Sequence, residues 1–292
     1  MIHSGELRSG KGSHDENFPV ASRLIKRQHR PAILAFYEFV RVADDIADRP
    51  ELTSAEKIAR LDRLESSLLG GGGDEPEGLR LRTILNDRGL STRHAQDLLS
   101  AFRQDATKHR YANWEELVDY CSRSAMPVGR FVLDVHGETR DTWPASDALC
   151  AALQIINHLQ DCAKDYQALD RVYIPLDAMS ASGVSVEMLK EDRASPALRD
   201  CLRGLVARTS VLLGESRGLE AKVGDTRLAL EISVIQSLAS QLLAILMVRD
   251  PLVDRVHLNK AEALAAAANG GGRAILRRLL RTMAPAQRFQ TP

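Results

Sequence analysis

Apolar residues recur every three or four positions along almost all of this 292-residue chain, and the Val, Thr and Ile alternation typical of strands is scarce. Arg30-Pro31 is a favoured start for a helix, and the apolar face that follows runs from Ile33 through Tyr37 to Val42. We predict further helices over residues 54–69, 77–88, 92–109, 114–137, 145–169, 196–222 and 225–249. With no internal repeat or compositional break, this pattern predicts a single all-α domain.

The composition of the chain bears on which molecules and metals it is expected to bind. Apolar residues make up 44% of the chain, and Lys+Arg and Asp+Glu balance at 39 each. A net charge of zero gives no electrostatic reason to expect a nucleic acid. The four cysteines contain no Cys-x-x-Cys pair, which argues against structural zinc or a disulfide framework and suits a reducing cytoplasm.

The ends of the chain differ from its middle. Residues 1–15 are polar and lack the apolar core of a signal peptide, so we expect a disordered leader, then a domain over 16–285 and a disordered tail over 286–292. The longest uncharged apolar stretch, Ile232 to Val248, is slightly short for a membrane span and is interrupted by glutamines and serines. A buried central helix is the favoured interpretation.

Two groups of aspartates lie inside apolar helical segments. Asp44 and Asp48 are four residues apart and therefore share a helix face, with Tyr37 and Arg41 on the same stripe. We call this pair the first aspartate cluster. The second aspartate cluster, Asp161 and Asp165, continues a stripe that begins at Asn157.

Carboxylates at this spacing repel each other, so a cation is needed when they are buried. Mg²⁺ prefers oxygen ligands and commonly binds one or two carboxylates together with substrate phosphates. Two such helices facing each other would hold a diphosphate and stabilise charge on it as it departs. A solvated helix face is the alternative, but the flanking residues are Ala, Ile, Leu and Val. Asp45 remains open between a third ligand and a solvent-facing residue.

These segments resemble the squalene/phytoene synthase family of head-to-head prenyl synthases. Residues 37–48 resemble its first aspartate motif, and residues 154–165, followed by Arg171-Val-Tyr173-Ile-Pro175, resemble its second. The resemblance runs from about Asn17 to Met247. It implies an isoprenoid synthase (terpenoid synthase) fold, a helical bundle around a central active-site cavity, and a magnesium-dependent enzyme that acts on an isoprenoid diphosphate.

Three further segments, at residues 16–22, 102–111 and 119–129, resemble the bacterial members that form hydroxysqualene in hopanoid biosynthesis. This implies a carbon–oxygen lyase: presqualene diphosphate loses pyrophosphate, the cation rearranges, and water captures it without a nicotinamide cofactor. Two residues depart from the squalene synthase pattern. Arg123 stands where those enzymes have a Tyr linked to the cyclopropyl intermediate, and Gln160 replaces a usual Arg. Both departures favour an enzyme that handles one diphosphate rather than two. A synthase that condenses two farnesyl diphosphates and a non-catalytic scaffold of the same fold are the alternatives.

The resemblance also implies roles for individual residues. The metal candidates are Asp44, Asp48, Asn157, Asp161 and Asp165, and the catalytic candidates add Arg41 and Tyr173. The substrate-binding candidates are Ser22, Arg23, Tyr37, Arg41, Val128, Gly129, Gln154, Asn157 and Arg171. Arg41 could instead simply pair with Asp44, and Tyr173 could be a core tyrosine. Asp105 and Arg110 either support the site from behind or form an exposed helix pair, which is the favoured interpretation.

The remaining features bear on surroundings and partners. The helices around Val128-Gly129 and Ile232 to Val248 would line a tunnel for a C30 chain, although a plain core has the same composition. Arg273 to Arg281 predicts a short basic amphipathic helix that could rest on an anionic membrane surface, but packing on the domain is favoured. We therefore expect a cytoplasmic protein, with peripheral contact at the inner membrane as an option. The sequence leaves the oligomeric state open.

Overall fold

The computed structural model describes residues 25–254, 256–258, 262, 265–266, 268 and 270–272. Within them the chain forms twelve α-helices, and a single parallel bridge joins Arg110 to Val172. The all-α prediction is confirmed. The helices are α1 Arg30–Ala47, α2 Ser54–Leu69, α3 Pro76–Arg88, α4 Arg93–Asp105, α5 Trp114–Ser124, α6 Met126–Val135, α7 Trp143–Gln160, α8 Cys162–Leu169, α9 Leu176–Ala181, α10 Pro196–Glu215, α11 Leu219–Lys222 and α12 Thr226–Leu246.

Local chemistry sets several helix ends where the sequence predicted them. Pro31 occupies the first turn of α1, as expected. The helix α2 has the predicted bounds because Thr53 and Glu56 form a capping box at its start, and Gly70, with φ of 83°, ends it in the left-handed region.

The predicted helix over 114–137 is wrong as a single element. It divides into α5 and α6 at Ala125, whose φ and ψ are −131° and −47°. Pro127 explains the division, since proline lacks an amide hydrogen and disfavours a helical residue before it, but fits the first turn of a new helix. The predicted helix over 196–222 also divides: α10 ends at Glu215, and Gly218, with φ of 88°, precedes the short α11.

The predicted helix over 145–169 bends at Asp161, whose φ and ψ are −101° and 12°. The four-residue hydrogen bonds nevertheless continue through the bend. The amide of Asp161 donates to Asn157 O at 2.9 Å, and the amide of Asp165 donates to Asp161 O at 2.8 Å. The bend between α7 and α8 therefore keeps the predicted stripe on one side. The predicted helix over 92–109 ends early, at Asp105.

Two groups of buried apolar side chains form the core. One contains residues of α1, α2, α3, α4 and α6. Within it the rings of Phe36 and Phe131 stack with centroids 3.9 Å apart. The other surrounds α7, which packs against α10 and α12. Among the described helices, α12 is long and apolar enough to cross a membrane by length and composition alone, with a mean hydropathy of 1.6. More than half of it is buried in the fold, as in a core helix.

Candidate active site

A central cavity of about 560 Å³ is lined by residues of α1, α4, α5, α6, α7, α8, α11 and α12. Both aspartate clusters line it, as do apolar side chains from α1, α6, α7 and α12. The predicted central cavity is therefore present, and it combines acidic groups with a long apolar surface.

The first aspartate cluster enters the cavity from the last turn of α1. Asp44 and Asp48 both line it. Burial, and then the neighbouring charge of Asp48, raise the pKa of Asp44 to about 8, and the opposing effect of Arg41 does not cancel this. Without an additional cation, the cavity therefore favours the protonated form of Asp44.

Arg41 lines the cavity and pairs with the aspartates of its own helix. One guanidinium nitrogen donates to Asp44 Oδ2 at 2.7 Å, and another donates to Asp45 Oδ1 at 2.8 Å. The predicted alternative of a partner for Asp44 is thus observed in this structure. Asp45 is buried against Arg41 and does not line the cavity, so neither interpretation offered for it is correct.

The second aspartate cluster approaches the same cavity from the bend between α7 and α8. Asn157, Asp161 and Asp165 all line it, so the stripe predicted from sequence spacing faces one space. Gln154 lies one turn earlier and also lines the cavity, with its side-chain nitrogen 3.1 Å from Nε2 of His158.

Arg171 links the two clusters. It follows α8 in sequence, but its Nη1 donates to Asp48 Oδ1 at 2.5 Å and its Nη2 donates to Ala47 O at 2.8 Å. The side chain is 7% exposed and lines the cavity. The bridge between Arg110 and Val172 holds this segment in place, with the Val172 amide donating to His109 O at 2.9 Å.

Asp105 is the principal site residue whose environment the sequence interpretation got wrong. It is not exposed: it is buried, lines the cavity, and accepts hydrogen bonds from Tyr120 at 2.7 Å and Tyr173 at 3.2 Å. Burial raises its pKa to about 6. Arg110 does not pair with it and instead binds Asp170 at 2.6 Å. The error has a simple cause, since α4 ends at Asp105 and the two residues share no helix face.

Tyr173 combines the two interpretations offered for it. Its ring is buried and stacks on His158 with centroids 3.6 Å apart and planes 15° from parallel. It also lines the cavity, as does His158. Tyr173 is therefore both a core residue and part of the cavity wall.

Gly129 and Val128 line the cavity from α6, and Tyr37 does so from α1. The position that a side chain would take at Gly129 is already occupied, because a Cβ built there would lie 2.6 Å from Cys150 Sγ. This glycine therefore lets α6 approach α7 closely.

Both departures from the squalene synthase pattern lie outside the cavity wall. Gln160 is buried, and its side-chain nitrogen donates to Val256 O. Arg123 pairs with Asp119 at 2.9 Å. Neither lines the cavity, so neither residue contacts its contents directly. Ser22, Arg23 and the basic segment from Arg273 to Arg281 lie outside the described residues, as do the expected leader and tail.

Several polar residues of the cavity wall were not identified from the sequence, and two of them, Glu231 and Ser124, bear on its chemistry. Glu231 on α12 is 4% exposed and lines the cavity between Leu228, Ile232 and Ile235. Ser124, at the end of α5, also lines it, and its buried hydroxyl has no hydrogen-bond partner among the described residues. Their helical spacing was the available signal: Glu231 interrupts an apolar stripe, and Ser124 is one turn after Tyr120.

The donor set of the cavity fits a divalent cation. Four carboxylates and the side-chain amide of Asn157, supplied by α1 and by the bent pair α7 and α8, converge on one space. They offer the oxygen ligands that Mg²⁺ prefers. Burial, and then the charge of Asp48, raise the pKa of Asp44, so a bound cation would favour its ionised form.

Comparison with known proteins agrees with the fold and the cavity. Residues 12–262 match the family model described as squalene/phytoene synthase. The chain is 55% identical over 278 residues to the hydroxysqualene synthase of Rhodopseudomonas palustris, covering 95% of both chains, and 54% identical over 264 residues to that of Sinorhizobium fredii, covering 90% of both. Among solved structures, squalene synthase HpnC from Alicyclobacillus acidocaldarius superposes with a TM-score of 0.70 at 32% identity, over 82% of this chain and 89% of that one. The chain therefore belongs to the squalene/phytoene synthase family of enzymes.

Proposed function

We propose that this protein converts presqualene diphosphate and water to hydroxysqualene and diphosphate, as a carbon–oxygen lyase of squalene and hopanoid biosynthesis. The observation that carries this proposal is the single cavity in which two aspartate clusters meet a long apolar wall. Such a cavity suits a substrate with a diphosphate at one end and hydrocarbon over the rest. The names of the relatives at 54–55% identity support the same reaction.

In this proposal Asp44, Asp48, Asp161 and Asp165 hold Mg²⁺, with Asn157 beside them. The metal would supply positive charge to the departing diphosphate. Its binding would also counter the burial, and the repulsion from Asp48, that raise the pKa of Asp44.

Two arginine side chains lie beside the proposed metal site. Arg171 is a buried guanidinium at the junction of the two clusters, and Arg41 lies one turn before Asp44. A guanidinium fork suits phosphate oxygens, so we assign both residues to diphosphate binding. The ring of Tyr173, held by His158 and Asp105, is assigned to stabilising the cation left after ionisation.

Condensation of two farnesyl diphosphates is the main alternative. The cavity gives no direct reason against it, because Arg123 and Gln160 both lie outside the cavity wall. Water capture is favoured by the names of the relatives and by the polar groups of Glu231 and Ser124 in the wall. A non-catalytic scaffold is disfavoured because all the acidic ligand candidates face one space.

The deciding experiment is product analysis with presqualene diphosphate and Mg²⁺, without NADPH. We expect hydroxysqualene and one pyrophosphate per turnover. Formation of presqualene diphosphate from farnesyl diphosphate alone would favour the condensing synthase. Failure to release pyrophosphate from any of a range of prenyl diphosphates would favour the scaffold.

We further propose a catalytic domain over residues 16–285 in a cytoplasmic protein. The product would be very apolar, and the basic segment from Arg273 to Arg281 would bring the enzyme to an anionic inner-membrane surface. Sedimentation with and without anionic vesicles, using full-length protein and protein ending at residue 272, tests this segment directly.

A further inference from the structure

The helix α12 presents one stripe of side chains to the central cavity. Leu228, Glu231, Ile232 and Ile235 lie on this stripe, at the three- and four-residue spacing of one helix face. Only Glu231 among them is polar, and it is 4% exposed. A carboxylate on an apolar wall is costly to bury, so its presence there calls for a chemical reason.

The proposed reaction supplies a reason, because water cannot complete its attack unless a proton leaves. The other carboxylates that line the described cavity already have roles in the site. Four belong to the two aspartate clusters, and Asp105 accepts hydrogen bonds from Tyr120 and Tyr173. Along its stripe Glu231 lies between Leu228, Ile232 and Ile235, which are the surroundings expected beside a hydrocarbon cation.

We propose that Glu231 is the base that takes the proton from the attacking water, an inference that rests on the proposed function. The carbon–oxygen bond to diphosphate breaks, and its electron pair leaves with the diphosphate. A lone pair of water then forms the new carbon–oxygen bond to the rearranged cation. One proton of that water passes to the Glu231 carboxylate. This leaves a neutral alcohol and a carboxylic acid, which later loses the proton to solvent.

Ser124 offers the water a place inside the cavity. Its buried hydroxyl has no hydrogen-bond partner among the described residues, so a water molecule there would satisfy an otherwise unmet group.

The test compares Glu231→Gln, which keeps the shape but removes the base, with Glu231→Asp, which keeps a carboxylate. Glu215→Gln, which changes an exposed carboxylate at the end of α10, is the matched control. Each variant is given presqualene diphosphate and Mg²⁺, and both pyrophosphate and C30 products are measured. For Glu231→Gln we expect pyrophosphate release within about threefold of wild type, but hydroxysqualene per pyrophosphate reduced at least about tenfold in favour of hydrocarbon.

The outcomes separate this inference from the function on which it rests. Glu231→Asp should recover part of the alcohol yield, and Glu215→Gln should behave as wild type. If wild type forms hydroxysqualene and Glu231→Gln forms it in the same proportion, the role of Glu231 is refuted while the function stands. If wild type itself forms no hydroxysqualene, both fail.

A second, independent inference concerns three residues that are not part of the cavity wall. His29, His136 and Asp225 each offer a ligand atom, and these atoms lie within 4.8 Å of one another. Asp225 begins α12, where its Oδ1 accepts from the amides of Arg227 and Leu228. Its Oδ2 contacts Lys26 Nζ at 2.7 Å.

The two imidazoles present unused nitrogens to this space. His136 Nδ1 donates to Val132 O at 2.7 Å, so in the neutral ring Nε2 carries a lone pair. That Nε2 and Nδ1 of His29 are both buried without a hydrogen-bond partner among the described residues. The rings lie 4.2 Å apart between centroids. A backbone carbonyl that fixes the far nitrogen of a histidine is the usual support of a metal ligand.

We propose that His29, His136 and Asp225 bind a divalent transition metal of the Zn²⁺ type. Two ligands of one tetrahedral Zn²⁺ are separated by about 3.3 Å, so small side-chain rotations suffice. Lys26 is 49% exposed and can move into solvent when the metal takes Asp225 Oδ2. The metal would fasten the start of α1 to the end of α6 and the start of α12.

The test is equilibrium dialysis of metal-stripped protein with Zn²⁺ in excess Mg²⁺, which occupies the aspartate clusters. We expect His136→Ala to lose one bound equivalent. His109→Ala, which changes a partly exposed histidine outside the cluster, should retain it. Asp225→Ser keeps a helix cap but should weaken binding at least about tenfold, and Lys26→Gln should strengthen it by removing the competing cation. Equal Zn²⁺ binding by wild type and folded His136→Ala would refute the site, and unchanged affinity in Lys26→Gln would refute Oδ2 as its third ligand.

Discussion

The guanidinium of Arg171 donates to Asp48 Oδ1 at 2.5 Å across 123 residues of sequence. This contact joins the segment after the second aspartate cluster to the end of α1, where the first cluster lies. A second bond, from the same guanidinium to Ala47 O at 2.8 Å, fixes its plane. The relative position of the two clusters therefore depends on a planar cation with more than one donor.

Arg171→Lys should destabilise the protein, although it preserves the charge. Lysine carries its three N–H donors on one nitrogen, so it cannot span the two acceptors as the planar guanidinium fork does. We expect the free energy of unfolding in urea to fall by about 1–3 kcal/mol, the cost of leaving a buried polar group unsatisfied. Arg110→Lys, at the exposed pair with Asp170, is the control and should cost less than about 1 kcal/mol. Equal losses in the two variants would contradict the role assigned to Arg171.

Asp44→Asn should stabilise the metal-free protein at pH 8. The pKa of Asp44 in the folded protein is about 8, above its ordinary value of 3.8, so the folded state binds a proton more tightly than the unfolded state. Stability of the wild type should therefore decline as the pH rises from about 4 to 8, through the two pKa values. Urea unfolding at pH 5 and pH 8 should show a decline of at least about 1 kcal/mol that Asp44→Asn reduces. The prediction is contradicted if, from pH 5 to pH 8, the free energy of unfolding of the wild type increases by more than that of Asp44→Asn.

Mg²⁺ should bind more tightly as the pH rises toward 8 and beyond. Asp44 must lose its proton to become a ligand, so metal binding and proton release are coupled. Calorimetric titration at pH 6.5 and pH 8.5 should show a lower dissociation constant at the higher pH, together with proton release that depends on the buffer. Asp44→Asn should weaken Mg²⁺ binding and flatten the pH dependence. Binding that is independent of pH in the wild type would show that Asp44 is not a ligand.

Helix spacing was sufficient to predict the groups that share one helix face. Asn157, Asp161 and Asp165 remain on one side even though the chain bends at Asp161, because the backbone hydrogen bonds keep their four-residue register. The same rule also explains why the two departures from the squalene synthase pattern lie off the cavity wall. Gln160 immediately precedes Asp161, and a single step along a helix turns a side chain by about 100° away from the cavity. Arg123 likewise lies off the stripe of Tyr120 and Ser124.

Contacts between distant segments could not be predicted in this way. The environment of Asp105 depends on Tyr120 from α5 and on Tyr173, which follows α8. No period in the sequence relates these positions. Their meeting depends on where α4 ends and on the bridge between Arg110 and Val172, both of which arise from tertiary packing.

Tyr173 offers a test of whether its ring or its hydroxyl is important for ionisation. Tyr173→Phe removes the 3.2 Å bond to Asp105 and keeps the stack on His158. We expect it to cost about 0.5–1.5 kcal/mol of stability and to retain most pyrophosphate release. Tyr173→Leu removes the ring face and should reduce the rate at least about tenfold, since a cation beside an aromatic face gains up to about 2 kcal/mol. Equal rates in Phe and Leu variants would refute the role of the ring.

Gly129→Ala should destabilise the protein because it forces α6 away from α7. The added Cβ would lie 2.6 Å from Cys150 Sγ, well inside the ordinary contact distance. We expect a loss of about 1–3 kcal/mol, typical of overpacking, measured by urea unfolding. Gly204→Ala is the matched control, because Gly204 is an exposed glycine within α10 with nothing within 4 Å of an added Cβ. It should stabilise the protein by about 0.5–1 kcal/mol through helix propensity. If Gly129→Ala were also stabilising, the close approach of the two helices would not be what requires glycine at this position.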